Sequence, residues 1–163
     1  MATFRVEVPI AAPVPLVWAR LTDWPAHAQL APLTRIRVVG SGDVPGSGFV
    51  ARTGVGPLAF DDPMQIEHFE PPGPVRPQGR FRVRKTGRLL KGWVEAEVRP
   101  DEVPAGGTGP GGGSLLVWTE EIRVVPESLT RFAGPLIGAA ARLGYGSALR
   151  RLGRDIEGEA TRG

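Results

Sequence analysis

The chain contains no cysteine. Disulfides, thiolate metal sites and cysteine nucleophiles are therefore excluded, and nothing points to an oxidising compartment. Histidine is almost as scarce: His27 and His68 stand far apart, with no HxH or HExxH spacing, so no metal is expected. No cofactor is expected either. Gly107-Thr108-Gly109-Pro110-Gly111-Gly112 formally matches GxGxxG, but a strand pattern follows it where a dinucleotide site needs a helix. No serine sits in a nucleophile elbow. Long apolar runs are missing too. The most apolar stretch, 136–149, includes Arg142 and is too short to span a bilayer. Residues 1–8 alternate apolar and polar side chains and do not resemble a secretory signal, so a cytoplasmic location is expected.

Charge of one sign is also lacking, although the sequence pI of about 10.1 suggests otherwise. Lys plus Arg is 20 and Asp plus Glu is 17, a net charge of +3. Only Lys85 and Lys91 are lysines, and the arginines drag the pI upward because they do not usefully deprotonate. So small an excess predicts no nucleic-acid partner. The preponderance of arginine, alanine, glycine and proline over lysine points to a GC-rich bacterial genome.

What remains is the composition of a folded domain: 163 residues, 41% apolar and 23% charged, read as one domain over 1–163. Phe4, Val6, Val8 and Ile10 alternate on a first strand over 4–11. Val14, Val17, Trp18 and Leu21 stripe a helix introduced by Pro13 and Pro15. Thr22-Asp23 stops that helix and caps a shorter one, roughly Trp24 to Leu30. Six strands follow, near 33–40, 47–55, 58–70, 79–87, 89–100 and 114–126, separated by Gly and Pro punctuation that includes the glycine-rich tract 106–113. From Glu127 the spacing of Leu129, Phe132, Leu136, Ala140 and Leu143, resumed one face-step later by Leu149, Leu152 and Ile156, predicts a long helix, with Pro135 marking a kink or a true start. Its glycines, Gly138, Gly144, Gly146 and Gly153, predict close packing or a thin side. The fold class is therefore α+β. Short connections make the strands antiparallel, and a curved seven-stranded sheet is expected to wrap the long C-terminal helix.

Ile10-Ala11-Ala12-Pro13 running into Val17-Trp18, then Leu21-Thr22-Asp23-Trp24, Glu70-Pro71-Pro72, Gly92, and Trp118-Thr119-Glu120 before Pro126 form an ordered set. In these residues the chain resembles the SRPBCC superfamily. This is the helix-grip fold of START-related lipid-binding domains, birch-pollen-allergen-like proteins and bacterial polyketide cyclase/dehydrase-like proteins. The resemblance covers about 3–158 and implies a cavity between the concave sheet face and the long helix. It identifies a fold family and not an activity, since such families hold carriers, sensors and enzymes.

Periodicity suggests what lines that cavity. Trp118 and Glu120 share a strand face with Leu116 and Ile122 and are expected to point inward. A buried carboxylate needs a partner or a raised pKa. Glu120 is then either a polar anchor or general acid/base, or a structural carboxylate paired with Lys85 or an arginine. Met64, Ile66 and His68 alternate on another strand, which makes His68 the better placed histidine for proton transfer. Tyr145, on the long helix, is expected either to donate to a ligand carbonyl or carboxylate, or to pack with its hydroxyl in solvent. Phe132 and Leu136 complete the expected lining. Arg80, Arg82 and Arg84, with Lys85, Arg88 and Lys91, form a basic cluster read as a solvated outer face, and Trp93 is placed on that side with Glu95 and Glu97.

Three functions follow. The first is binding of a small hydrophobic or aromatic molecule in the cavity. The second is a polyketide cyclase or aromatase in which Glu120, His68 or Tyr145 moves protons. The third is a protein-interaction module using the basic strand. The sequence carries no information on oligomeric state.

Overall fold

Strict alternation of side chains builds the first strand. In the computed structural model, β1 (Ala2–Ile10) buries Phe4, Val6, Val8 and Ile10 and exposes the residues between them. The structure describes residues 2–30, 33–101, 112–125 and 134–162, with side chains at all of these except 30 and 134–138. The tract 106–111, Phe132 and the Leu136 side chain therefore lie outside the described residues.

After β1 come α1 (Val14–Leu21), a tight 3₁₀ helix (Trp24–Leu30), β2 (Thr34–Val39), β3 (Gly48–Thr53), β4 (Phe60–Glu70), β5 (Gly79–Lys85), β6 (Leu90–Pro100), β7 (Ser114–Val124) and α2 (Gly134–Ala160). The strands form one antiparallel sheet in the order β1-β7-β6-β5-β4-β3-β2. This is the seven-stranded helix-grip architecture expected from the pattern of elements. The chain returns from β1 into the helices and rejoins the sheet at its far edge. Asp23 Oδ1 accepts from the Ala26 amide at 3.3 Å, as its capping position predicts.

Two glycines shape the wrap. Gly92 has φ +125, and a Cβ there would stand 1.9 Å from the Glu121 carbonyl oxygen, so only glycine lets β6 bend against β7. Gly153 lets α2 approach β1, where a Cβ would meet Ile10 at 3.3 Å. Glu157 Oε1 fixes the same contact by accepting from the Ala11 amide at 2.8 Å.

The buried stripe of α2 keeps the later part of the expected one and departs from the earlier part. Leu143 is 69% exposed, and the side chains that pack on the sheet are Ala141, Tyr145, Leu149, Leu152 and Ile156. Their spacing of four, four, three and four keeps one helical face against β1. Leu149, Leu152 and Ile156 thus pack as expected, whereas Ala140 faces solvent like Leu143.

Candidate functional site

Between the concave sheet face and α2 lies a cavity of about 520 Å³. Apolar side chains make most of its wall: Phe49, Phe60, Met64, Phe81 and Trp118 from the sheet, and Ala148 and Leu149 from the helix. At one end the lining runs out to Thr34, Thr53, Phe60, Leu90 and Gly144, all at strand termini or early in α2. Leu33, Leu58, Leu89 and Leu143, close by along the chain, are exposed. A volume of this order suits a small organic ligand.

Set into the apolar wall is one polar cluster, assembled by sheet register. Lys85 lies opposite Met64 on β4 and Gly92 on β6, and Glu120 on β7 lies opposite Val94. Asp62 shares the inward face with Met64, two residues along β4. Gly92, having no side chain, leaves the diagonal from Lys85 to Glu120 open. Lys85 Nζ consequently stands 3.2 Å from Asp62 Oδ2 and 3.3 Å from Glu120 Oε1. The Trp118 indole N–H donates to Glu120 Oε2 at 3.0 Å. Asp62 is 5%, Lys85 3% and Glu120 0% exposed. Tyr145 descends from α2 onto this cluster, its ring stacked on Trp118 at 5.9 Å and its phenol beside Glu120.

Burial raises both carboxyls above their ordinary values, against the opposing pull of Lys85. Burial also opposes the Lys85 charge, but the surrounding oxygens of Tyr145, Glu120 and Asp62 outweigh it and push the ammonium's pKa upward. The Glu120 charge and burial raise the Tyr145 phenol, which stays protonated. One ammonium cannot balance two ionised carboxylates out of water. The three groups are therefore coupled: burial favours the neutral form of both acids, while their oxygens favour the charged form of Lys85.

Of the residues singled out in the sequence, Trp118, Met64 and Tyr145 line the cavity, and Glu120 sits directly behind them in the cluster. Ile66 is buried in the core but not on the cavity wall. His68 requires a correction. Register slips between Ile66 and His68, with Glu67 as the extra residue, so His68 pairs with Arg82 and turns outward. It is 46% exposed and bonds Glu70 at 3.1 Å, while Phe69 turns in to pack on Trp18. Lys85 also moves: it belongs to the inner face and not to the basic outer cluster. Tyr145 does not send its hydroxyl to solvent.

Sequence reasoning passed over Asp62 and His27. Asp62 has the parity of Met64 and could have been found by that signal. His27 reaches the cavity wall from the 3₁₀ helix. Its Nε2 lies 2.7 Å from the Leu21 carbonyl oxygen, which can only accept, so Nε2 carries the hydrogen and Nδ1 is the acceptor of the neutral ring. Burial lowers its pKa and favours that neutral form.

The outer face of the same strands is a closed ionic lattice. Arg80 and Arg82 reach Glu95 at 2.9 and 3.3 Å, Arg82 and Arg84 reach Glu67, and the Arg82 guanidinium lies 4.3 Å over Trp93. The arginines thus share the outer face with Trp93, as expected. Among the described residues no helix is long and apolar enough to cross a membrane.

The family model described as polyketide cyclase / dehydrase and lipid transport matches residues 1–157. No curated protein matches in sequence. Among solved structures, the Zhui aromatase/cyclase of a Streptomyces species is similar, at TM-score 0.60 and 19% identity over 98% of this chain and 93% of that one. A START superfamily protein from Mycobacterium smegmatis aligns at TM-score 0.58 and 15% identity over 99% of each chain. Norcoclaurine synthase from Thalictrum flavum, in complex with a transition-state analogue, aligns at TM-score 0.54 and 17% identity over 94% of each. At these identities the likeness is one of fold.

Proposed function

The chain belongs to the polyketide cyclase / dehydrase and lipid transport family, and on that premise we propose that its cavity binds a small hydrophobic or aromatic molecule. The observation that carries this reading is a cavity of about 520 Å³ whose wall is mostly apolar and holds one buried ionic cluster. Burying an apolar ligand there gains about 25 cal/mol per Å² removed from water, and the cluster fixes its orientation. The test is native mass spectrometry of gently purified protein, followed by denaturing extraction. A discrete co-purifying apolar compound supports the proposal. Ala148→Phe, which places a ring in the cavity from α2, should abolish it while leaving the fold intact. A compound retained undiminished by Ala148→Phe rules the cavity out.

A second reading, a cyclase or aromatase, is favoured by two buried carboxyls that flank the Lys85 ammonium at the cavity wall, with burial raising the pKa of both. Asp62 or Glu120 would exchange a proton with a bound carbonyl compound, and Lys85 would stabilise the developing enolate oxygen. Held as an ammonium, Lys85 is a poor nucleophile, so the reading invokes no imine. His68, facing outward, leaves the set of candidate catalytic residues, and Tyr145 becomes a positioning residue for Glu120. Turnover of a poly-β-ketone mimic, lost in Lys85→Met, is the measurement that supports it. For the protein-interaction reading, the arginines of β5 offer little free charge, since Glu67 and Glu95 on their own sheet match them.

A further inference from the structure

The donors of the polar cluster are unevenly placed. Lys85, Trp118 and Tyr145 supply its N–H and O–H groups, against both oxygens of Asp62 and both of Glu120. Asp62 Oδ2 receives Lys85, Glu120 Oε2 receives Trp118, and the Tyr145 phenol also bonds Glu120. Among the described residues, Asp62 Oδ1 and Glu120 Oε1 are buried with no hydrogen bond of their own, the latter 3.3 Å from the Lys85 ammonium. Native proteins rarely leave such acceptors unmatched. Glu120 stands behind the wall, whereas Asp62 is part of it.

The charges lean the same way. The groups that meet here are Asp62 from β4, Lys85 from β5, Glu120 from β7 and Tyr145 from α2, with neutral His27 elsewhere on the lining. Fully ionised, the cluster holds one cation against two anions. A second cation would balance it, whereas an anion would meet two carboxyls.

We infer that the ligand is an apolar, ring-bearing molecule with a donor head, N–H or O–H, seated on Asp62, and that a protonated amine is the best-matched head. This rests on the binding reading above and specifies which ligands the same cavity takes. Phe49, Phe60 and Phe81 supply ring-stacking surface for the body of such a molecule.

Three probes of nearly equal shape test it by calorimetric titration of the full chain: naphthylethylamine, naphthylethanol and naphthylacetate. The amine should bind tightest and the acetate weakest, separated by at least about ten-fold, the effect of roughly 1.4 kcal/mol from one charge-assisted bond. Asp62→Asn should collapse the amine's advantage and leave the alcohol little changed. Because the wild-type ranking decides by itself, a poorly folding variant does not block the test. Amine and alcohol bound equally, both above the acetate, would support the donor head and reject the need for a cation. Acetate bound as tightly as the amine overturns the inference while keeping the cavity. If none of the three binds, the binding reading itself falls.

Discussion

Strand β5 carries two kinds of charge on its two faces. Outside, Arg80, Arg82 and Arg84 share Glu67 and Glu95 in partial contact with water; inside, Lys85 shares Asp62 and Glu120 out of it. The same chemistry has opposite energetic meaning on the two sides. Exposed pairs gain little, because water already solvates the separated charges. Buried charges must recover a desolvation cost through one another, so removing one partner strands the rest. A protein gains little stability from such an inner cluster, which is consistent with its being kept for binding or chemistry.

The largest effect should come from breaking the inner side. Lys85→Met leaves two carboxyls facing each other without a cation, and should cost about 3–5 kcal/mol in urea denaturation at neutral pH. Protonation removes the stranded charge, so the deficit should shrink in mild acid. Replacing the acids as well, by Asp62→Leu and Glu120→Gln in the Lys85→Met background, should recover most of the loss. A Lys85→Met variant as stable as the parent at neutral pH would mean the cluster is not buried as described.

pH sharpens the contrast, because the two faces shift in opposite directions. Asp62 and Glu120 lie above their unfolded values, with burial the larger cause. Their favourable contribution is complete below the unfolded pKa and is lost as pH rises through the folded one. Burial works against Glu95 as well, but Arg80 and Arg82 prevail and hold it below its ordinary value. Its contribution is present above the unfolded pKa and is lost as pH falls through the folded one. Urea midpoints measured between about pH 3 and 8, which bracket ordinary carboxyl titration, should decline toward both ends. Asp62→Asn with Glu120→Gln should flatten the decline toward high pH. Glu95→Gln should flatten part of the decline toward low pH. If either set of changes flattens the other limb, the two faces have been misassigned.

Much of this arrangement was legible in the residues. Short antiparallel connections and period-two patterning pointed to a seven-stranded antiparallel sheet, though not to the pairing of β1 with β7, and the apolar company of Glu120 placed it inside, with Lys85 among its possible partners. Lys85 shares the parity of Phe81 and Val83, yet its position at the end of a run of arginines drew it into the outer cluster. Asp62 was hidden by its neighbour Asp61, which makes the pair look like a solvated turn. The slip at Glu67 could not be read at all. A bulge adds one residue without a sequence mark and reverses the parity of everything beyond it, which is how His68 and Phe69 exchanged faces. Periodicity is reliable only between such slips.

The smallest effects belong to the outer face, and they test whether its lattice is more than decoration. Arg82 contacts Glu67, Glu95 and the Trp93 ring, and its side chain is only 37% exposed. Arg82→Met should therefore cost about 0.5–1 kcal/mol, mostly through the lost stacking on Trp93. Arg84, 63% exposed and joined to Glu67 alone, should contribute still less, so Arg84→Gln is expected within about 0.5 kcal/mol of the parent. Salt should shrink the Arg84 effect and leave the Lys85 effect nearly unchanged, since screening reaches exposed pairs far more than buried ones. Equal salt sensitivity at the two positions would mean that water reaches the inner cluster. The cavity wall would then be wet, and an apolar ligand would gain little by entering it.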